Sequence, residues 1–227
     1  YKRQLNIPAI AQVAHAAGLP LMVDSTTTTP YLIKPFDLGA DIIQHSATKF
    51  LSGHGIVIGG LLVDSGQFDW EESGKFPTLS ESYEGFHNLI FTEEFGPAAM
   101  IQRARKEGLR DSGACMAPTS AFHILQGIET LSVRMSRHVE NTRTITSFLL
   151  EQKQVTRVGY PELDGHPDQA LASELLPNGC GAVFSFDLAG GREAGIAFVD
   201  ALGVFSHLAN IGDAKSLVIH PASTTHH

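Results

Sequence analysis

The run Leu19-Pro20-Leu21-Met22-Val23-Asp24 constrains the fold of this chain more than any other stretch. It is short, apolar and ended by a carboxylate, the pattern of a strand buried on both faces of a sheet. Upstream, Asn6 is placed to cap a helix and Pro8 falls in its first turn. Ile10, Val13, Ala14 and Ala17 repeat at the spacing of one buried helical face, and Gly18 ends it. Downstream, Pro35 to Gly39 reads as one helical turn and Asp41-Ile42-Ile43-Gln44 as a second short strand. Helix, strand, loop and strand at these lengths predict an α/β unit, in which ligands sit at the carboxyl ends of the strands. Asp24 stands at such an end.

The second strand leads directly into His45-Ser46-Ala47-Thr48-Lys49-Phe50. An isolated loop lysine is ordinarily solvated surface. Lys49 is not isolated, because two hydroxyls precede it and Asp24 ends a strand 25 residues upstream, near the lysine if the two strands are neighbours. Pyridoxal phosphate needs this kind of set: an amine to bond its aldehyde, an acid to keep its ring nitrogen protonated, and donors for its phosphate. Lys49, Asp24, Ser46 and Thr48 offer those roles, although spacing alone leaves the solvated-lysine reading open. Lys215, in Gly212-Asp213-Ala214-Lys215-Ser216, is a rival amine that reads better as solvated or ion-paired. Other chemistries lack their motifs. There is no G-x-S-x-G elbow, no H-E-x-x-H and no P-loop, and His45, His54, His87 and His123 are too irregularly spaced to nominate a metal site.

A length of 227 residues with 43% hydrophobic and 18% charged content describes an ordinary globular chain able to bury a substantial core. Its formal net charge of −8 offers no diffuse attraction to nucleic acid or anionic lipid, so small molecules or copies of itself are the expected partners. Cys115 and Cys180 form no metal-binding or disulfide pattern and read as reduced thiols. No apolar run approaches the roughly 20 residues of a membrane span, and no signal peptide opens the sequence, so a cytoplasmic address is expected. The sequence starts in a helix-entry pattern and stops just after a strand-like segment, which suggests a piece of a longer protein. The terminal His226-His227 pair reads as a chain end rather than a metal site.

Gly53-His54-Gly55 to Gly59-Gly60 is not a dinucleotide fingerprint, since the third glycine would fall at Ile58 and a strand rather than a helix follows. Ile56 to Val63 reads instead as a core strand. Residues 64–96, with Phe68, Trp70, Phe76, Tyr83, Phe86 and Phe91, have no sustained period and read as a long loop, either a functional lid or satellite packing. Pro97 to Arg110 is a predicted helix with Arg103, Arg105 and Lys106 exposed. Pro118 opens another that runs, with a bend, to about Glu151, carrying Phe122, Leu125, Ile128 and Glu129 on one face. Arg134, Arg137, His138 and Arg143 along its later part read as solvated surface. From Val155, alternating strands and helices make a smaller α+β unit: strands at Val155–Tyr160, Ala182–Leu188 and Ser216–His220, helices at Pro167–Leu176 and Arg192–Leu202.

Val23-Asp24, the Ser46-to-Phe50 segment, Gly53-His54-Gly55, Thr92 to Ala99 and above all Phe205 to His226 resemble the Cys/Met-metabolism family of pyridoxal-phosphate enzymes, and within it the branch that sulfhydrylates O-acetylhomoserine. The likeness covers essentially the whole chain. It implies fold type I: a large domain with a mostly parallel seven-stranded sheet (residues 1–150 here) and a smaller α+β C-terminal domain (residues 151–227), both incomplete, assembled as a dimer of dimers. It implies that Lys49 is the covalent anchor of pyridoxal 5'-phosphate, that Asp24 partners its ring nitrogen, and that Ser46 and Thr48 bind its phosphate. Asn210 would meet the substrate. Ser25 stands where the family usually has asparagine. The implied reaction is γ-replacement on O-acetyl-L-homoserine by sulfide or a small thiol, giving homocysteine or methionine and acetate. The alternatives are a γ-lyase or cystathionine-forming relative, and a non-catalytic fragment that only folds or assembles. A glycine-containing loop, a ring-stacking tyrosine, a neighbouring subunit's tyrosine and arginine, and a carboxylate-clamping arginine, all implied by the family, fall outside these residues.

Overall fold

The computed structural model describes residues 4–224. The His226-His227 pair and the last residues of the family-like C-terminal segment lie outside that range. Asn6 caps helix α1 (Ile7–Ala16) as expected, its side-chain oxygen accepting the Ala9 amide at 3.0 Å. The buried face differs from the expected one. Ile7 and Ala11 are buried and Ala14 half-buried, while Val13 is 73% exposed and Ile10 also faces outward. The helix has apolar residues enough for two stripes, and the stripe containing Ile7 meets the core.

Strand β1 (Met22–Asp24) pairs in parallel with β2 (Ile42–Ser46), Asp24 opposite Gln44, and β2 pairs antiparallel with β3 (Gly60–Asp64). The order β1-β2-β3 puts β2 at the centre, so this part of the sheet holds one parallel and one antiparallel pair. Two expectations about burial fail here. β1 is an edge strand among the described residues, Met22 is 50% exposed, and only Val23 packs toward the main core. Ile56 and Ile58 precede β3 rather than belonging to it, and Leu61, Leu62 and Val63 are substantially exposed, because β3 has a neighbour on one edge only.

Residues 64–96 are not a structureless loop. They form four short helical turns at Trp70–Ser73, Pro77–Ser80, Glu84–Phe86 and Phe91–Phe95, each too short to show a period. Their aromatics build a second core on Ile42, with the Trp70 ring edge-on to Phe76 at 5.0 Å and Phe68 edge-on to Trp70 at 4.8 Å. Of the two readings, satellite packing is the one realised. Arg103, expected in solvent, lies 4.5 Å from the centre of the Tyr83 ring and pairs with Glu107 at 2.6 Å. Cation and ring together close the lid of this cluster.

Helix α2 (Pro118–Glu129) and helix α3 (Leu131–Leu150) meet at Thr130, the expected bend. Ile124 and Gly127 face the core, and Phe122, Leu125 and Ile128 point outward. Beyond α3 come β4 (Val155–Gly159), helix α4 (Gln169–Leu175), β5 (Ser185–Leu188), helix α5 (Gly191–Asp200), β6 (Ser206–His207) and β7 (Leu217–Val218). β4 and β5 are antiparallel, and β6 and β7 are parallel. β6 escapes sequence reading because two residues cannot display an alternation. Among the described residues no helix is long and apolar enough to cross a membrane.

Candidate active site

The parallel β1–β2 pair brings the ends of both strands to one edge of the sheet. The Ser25 amide donates to Gln44 O at 3.0 Å, and the Ser46 amide donates to Thr26 Oγ1 at 2.8 Å. Asp24 and Ser46 therefore flank one hydrogen-bonded junction. Asp24 is exposed and accepts the Thr26 amide at Oδ1, 2.9 Å, while Oδ2 accepts nothing from the described residues. The Ser46 hydroxyl makes no hydrogen bond to a described residue. Ser25, in the place where the family usually has asparagine, is buried and closes the loop through a 2.8 Å contact of its hydroxyl with Thr28 Oγ1. Thr29 ends that loop fully buried at φ 59°, a costly conformation for a β-branched residue that only a well-packed loop sustains.

Lys49 lies in a single π-type turn, Ala47–Leu51, and departs from helical geometry at ψ −126°. Neighbours hold the turn on several sides. The Thr48 hydroxyl donates to Gly59 O at 3.3 Å and accepts the Gly59 amide at 3.0 Å, so this side chain pins the turn to the chain entering β3. Ser52 Oγ donates to Thr48 O at 3.1 Å. A Cβ at Gly127 would overlap the Leu51 and Ser52 carbonyls, and glycine is what lets α2 approach this closely.

From the C-terminal side, the loop 208–214 closes on the same turn. The half-buried Lys49 amine donates to Asn210 Oδ1, and the Ala214 amide donates to Gly53 O at 2.8 Å. Gly212 has φ 78°, and a Cβ there would meet Phe50 N and the Lys49 carbonyl carbon. Lys49 and Asn210, 161 positions apart, thus form one contact. The rival Lys215 is exposed.

His45 is a neighbour that sequence reading passed over. Its ring is 6% exposed, and burial holds its pKa below the ordinary histidine value against the opposing pull of Asp24 and the Ser25 backbone. Nδ1 has no hydrogen-bond partner among the described residues. The signal was its place one residue before Ser46 on a strand whose end carries the site. Of the two cysteines, Cys115 is exposed, and the Cys180 thiol is pushed up to about 12 by burial, with Glu162 adding to the shift, which leaves it protonated and unreactive at neutral pH. Among the described residues no group of three or more potential ligands could hold a metal ion.

In sum these segments hold an amine on a clamped turn, a carboxamide touching it and, without a partner among the described residues, one carboxylate oxygen and one hydroxyl. Such a set can bond an aldehyde, fix a protonated ring nitrogen and donate to an anion.

The sequence model of the Cys/Met metabolism PLP-dependent enzyme family matches residues 2–227. A homocysteine synthase of Schizosaccharomyces pombe is 50% identical over 97% of this chain, and an O-acetyl-L-homoserine sulfhydrylase of Thermus thermophilus is 48% identical over 98%. Each match takes in 53% of the relative, so the chain spans about half the length of these curated relatives. A Campylobacter jejuni structure assigned as an O-acetylhomoserine (thiol)-lyase, carrying a pyridoxyl-lysine phosphate, superposes with a TM-score of 0.92 at 33% identity over 99% of this chain and 53% of its own. A cystathionine γ-lyase of Lactobacillus plantarum gives 0.76 at 32%, over 99% of this chain and 50% of its own. With the family model matching residues 2–227 and an α/β architecture that superposes on a solved member, the chain belongs to the Cys/Met metabolism family of PLP-dependent enzymes.

Proposed function

We propose that this chain supplies the cofactor lysine and much of the cofactor pocket of a pyridoxal-phosphate enzyme that carries out γ-replacement on O-acetyl-L-homoserine. Sulfide or a small thiol takes the place of acetate, giving homocysteine or methionine. The observation that carries the reading is the contact of the Lys49 amine with Asn210, on a turn that follows the strand paired with the one Asp24 ends, in a chain 48–50% identical to enzymes named for this chemistry.

The residues fit the cofactor. The unused Oδ2 of Asp24 is an acceptor for a ring N–H, and the Ser46 hydroxyl is a donor without a partner. Thr48 fits less directly. Its hydroxyl proton already goes to Gly59 O, so it positions the turn and would reach a phosphate only by turning that proton away from a 3.3 Å contact. Bound pyridoxal phosphate supplies an electron sink for charge that develops at the substrate's Cα and Cβ. Lys49 would hold the cofactor through its aldehyde. Freed from it, Nζ would take a proton first from Cα and then from Cβ, so that acetate can leave Cγ, and after the sulfur nucleophile adds at Cγ it would return a proton to each of the two carbons. A lysine suits this shuttle because its protonation responds to its surroundings. Asn210, released by the amine, is then open to the substrate carboxylate. Burial favours the neutral form of His45 against the pull of nearby Asp24.

The reading extends to organisation. Residues 1–150 form part of the cofactor-binding domain and 151–227 part of the small domain, in a cytoplasmic dimer of dimers acting on small molecules. The assay is product analysis with O-acetyl-L-homoserine, sulfide and pyridoxal phosphate, run on the chain alone and on its uncut reading frame. Homocysteine with equimolar acetate is the expected result, from the uncut frame far more than from the chain alone. Accumulation of 2-oxobutanoate and ammonia without thiol would contradict it in favour of a γ-lyase, a reading favoured only by the lower-scoring structural neighbour. No product from either form would point to a folded, non-catalytic remnant.

A further inference from the structure

Arg134 was expected in solvent and is found behind the lysine turn. From α3 its guanidinium reaches three carbonyls on two other segments. Nη1 donates to Phe50 O at 2.8 Å, and Nη2 donates to Leu51 O at 3.3 Å and to Gly127 O at 2.6 Å. Nε donates to Thr130 Oγ1 at 3.1 Å, which fixes the plane of the fork at the α2–α3 bend. No carboxylate pairs with it among the described residues. Gly53 presses against the guanidinium, and a Cβ there would overlap it. A half-buried cation with three carbonyls and a hydroxyl as its acceptors is an expensive way to fasten a turn, since an apolar contact would fasten it at lower cost.

What the fork does that apolar contact could not is fix carbonyl directions. Phe50 and Leu51 directly follow Lys49, whose backbone departs from the helical turn around it. Holding both carbonyls rigidly determines where the preceding Cα–Cβ bond points. We infer that Arg134 is a positioning residue for Lys49: by orienting the Phe50 and Leu51 carbonyls from the α2–α3 bend, it aims the lysine amine at Asn210 and the cofactor aldehyde. The inference rests on the reading of Lys49 as the cofactor lysine. It makes the bend between the two helices part of the site, although neither helix contributes a side chain that touches the amine.

The test is site-resolved reductive trapping. The chain is incubated with pyridoxal phosphate, reduced with borohydride and digested, and the label on Lys49 is compared with that on the exposed Lys106 and Lys215 as internal standards. The variants are Arg134→Ala, the same variant with added methylguanidinium, and Met135→Ala, which opens the fully buried core position next door without touching the fork. Loss of several charge-assisted hydrogen bonds predicts a drop of about tenfold in the Lys49-to-standard ratio for Arg134→Ala. Methylguanidinium is expected to restore much of it, and Met135→Ala to keep the wild-type ratio despite lower thermal stability. A folded Arg134→Ala chain labelled at Lys49 like wild type would overturn the inference. So would an equal loss in Met135→Ala, which would mark a general effect of stability. Wild type showing no preference for Lys49 at all would remove the cofactor reading itself and the inference with it, a result distinguishable from the other two.

Discussion

The two ends of the β1–β2 pair each carry an aspartate, and the protein uses them in opposite ways. At the amino end, Asp41 is 6% exposed, and one of its oxygens accepts both the Leu21 amide at 2.7 Å and His15 Nε2 at 2.8 Å. At the carboxyl end, Asp24 is exposed and keeps one oxygen for something else. The first carboxylate ties α1 to the start of the sheet, and the second leaves one oxygen without a partner among the described residues. A carboxylate is read as structural or functional from how many of its lone pairs the protein itself satisfies, and burial follows from that.

Substitutions can break this contrast in order of size. Asp41→Ala should cost about 2–4 kcal/mol of stability in urea unfolding, because it strands a buried amide and removes a charged acceptor. Pyridoxal-phosphate affinity should change little. Asp24→Ala should do the reverse, with unfolding unaltered and cofactor affinity down by about tenfold to a hundredfold in absorbance titration, the range for a charge-assisted hydrogen bond. Equal effects of the two substitutions on either readout would erase the distinction. Gly212→Ala, forced to carry a Cβ at φ 78° against the Lys49 turn, should cost about 1 kcal/mol or more and weaken the Lys49–Asn210 contact, seen as faster amide exchange at Gly53 and Ala214.

The smallest effect sharpens the amino end. Asp64 faces Ile42 across β2 and β3, and its Oδ2 is buried without a partner. Burial raises its pKa above 3.8, against the pull of the Gly66 amide and with help from Asp41. The folded state therefore holds a proton that the unfolded chain has released just above that value, so stability falls as pH rises through the window and stays lower beyond it. Asp64→Asn should stabilise the chain by less than about 1 kcal/mol at pH 7 and by nothing at pH 3, in paired thermal melts.

Much of this was legible in the residues, and the failures have common causes. The helix–strand–loop–strand order and the Asn6 cap follow from local spacing and capping, which the chain cannot disguise. Asp24, Ser46 and Lys49 stand out because strand ends with polar residues are rare places in a buried sheet. Faces differ from the expected ones where a strand or helix has a neighbour on one side only, as at Met22, Leu62 and Val13. Sequence pattern reports which residues could be buried and says nothing of whether a covering layer is present. The role of Arg134 was illegible because its acceptors are carbonyls of Phe50, Leu51 and Gly127, and a backbone oxygen leaves no mark in a sequence. The aromatic turns of residues 64–96 failed for want of length, each being shorter than the period that would announce it.

The central claim is that Lys49 is the residue that holds the cofactor, and absorbance titration with pyridoxal phosphate tests it most directly. The account predicts a saturable visible band on addition of the cofactor, bleached by borohydride with a stable mass increase on the Lys49 peptide, and absent from a folded Lys49→Ala chain. A band of undiminished size in Lys49→Ala, or a mass increase found on Lys215 instead, would contradict it.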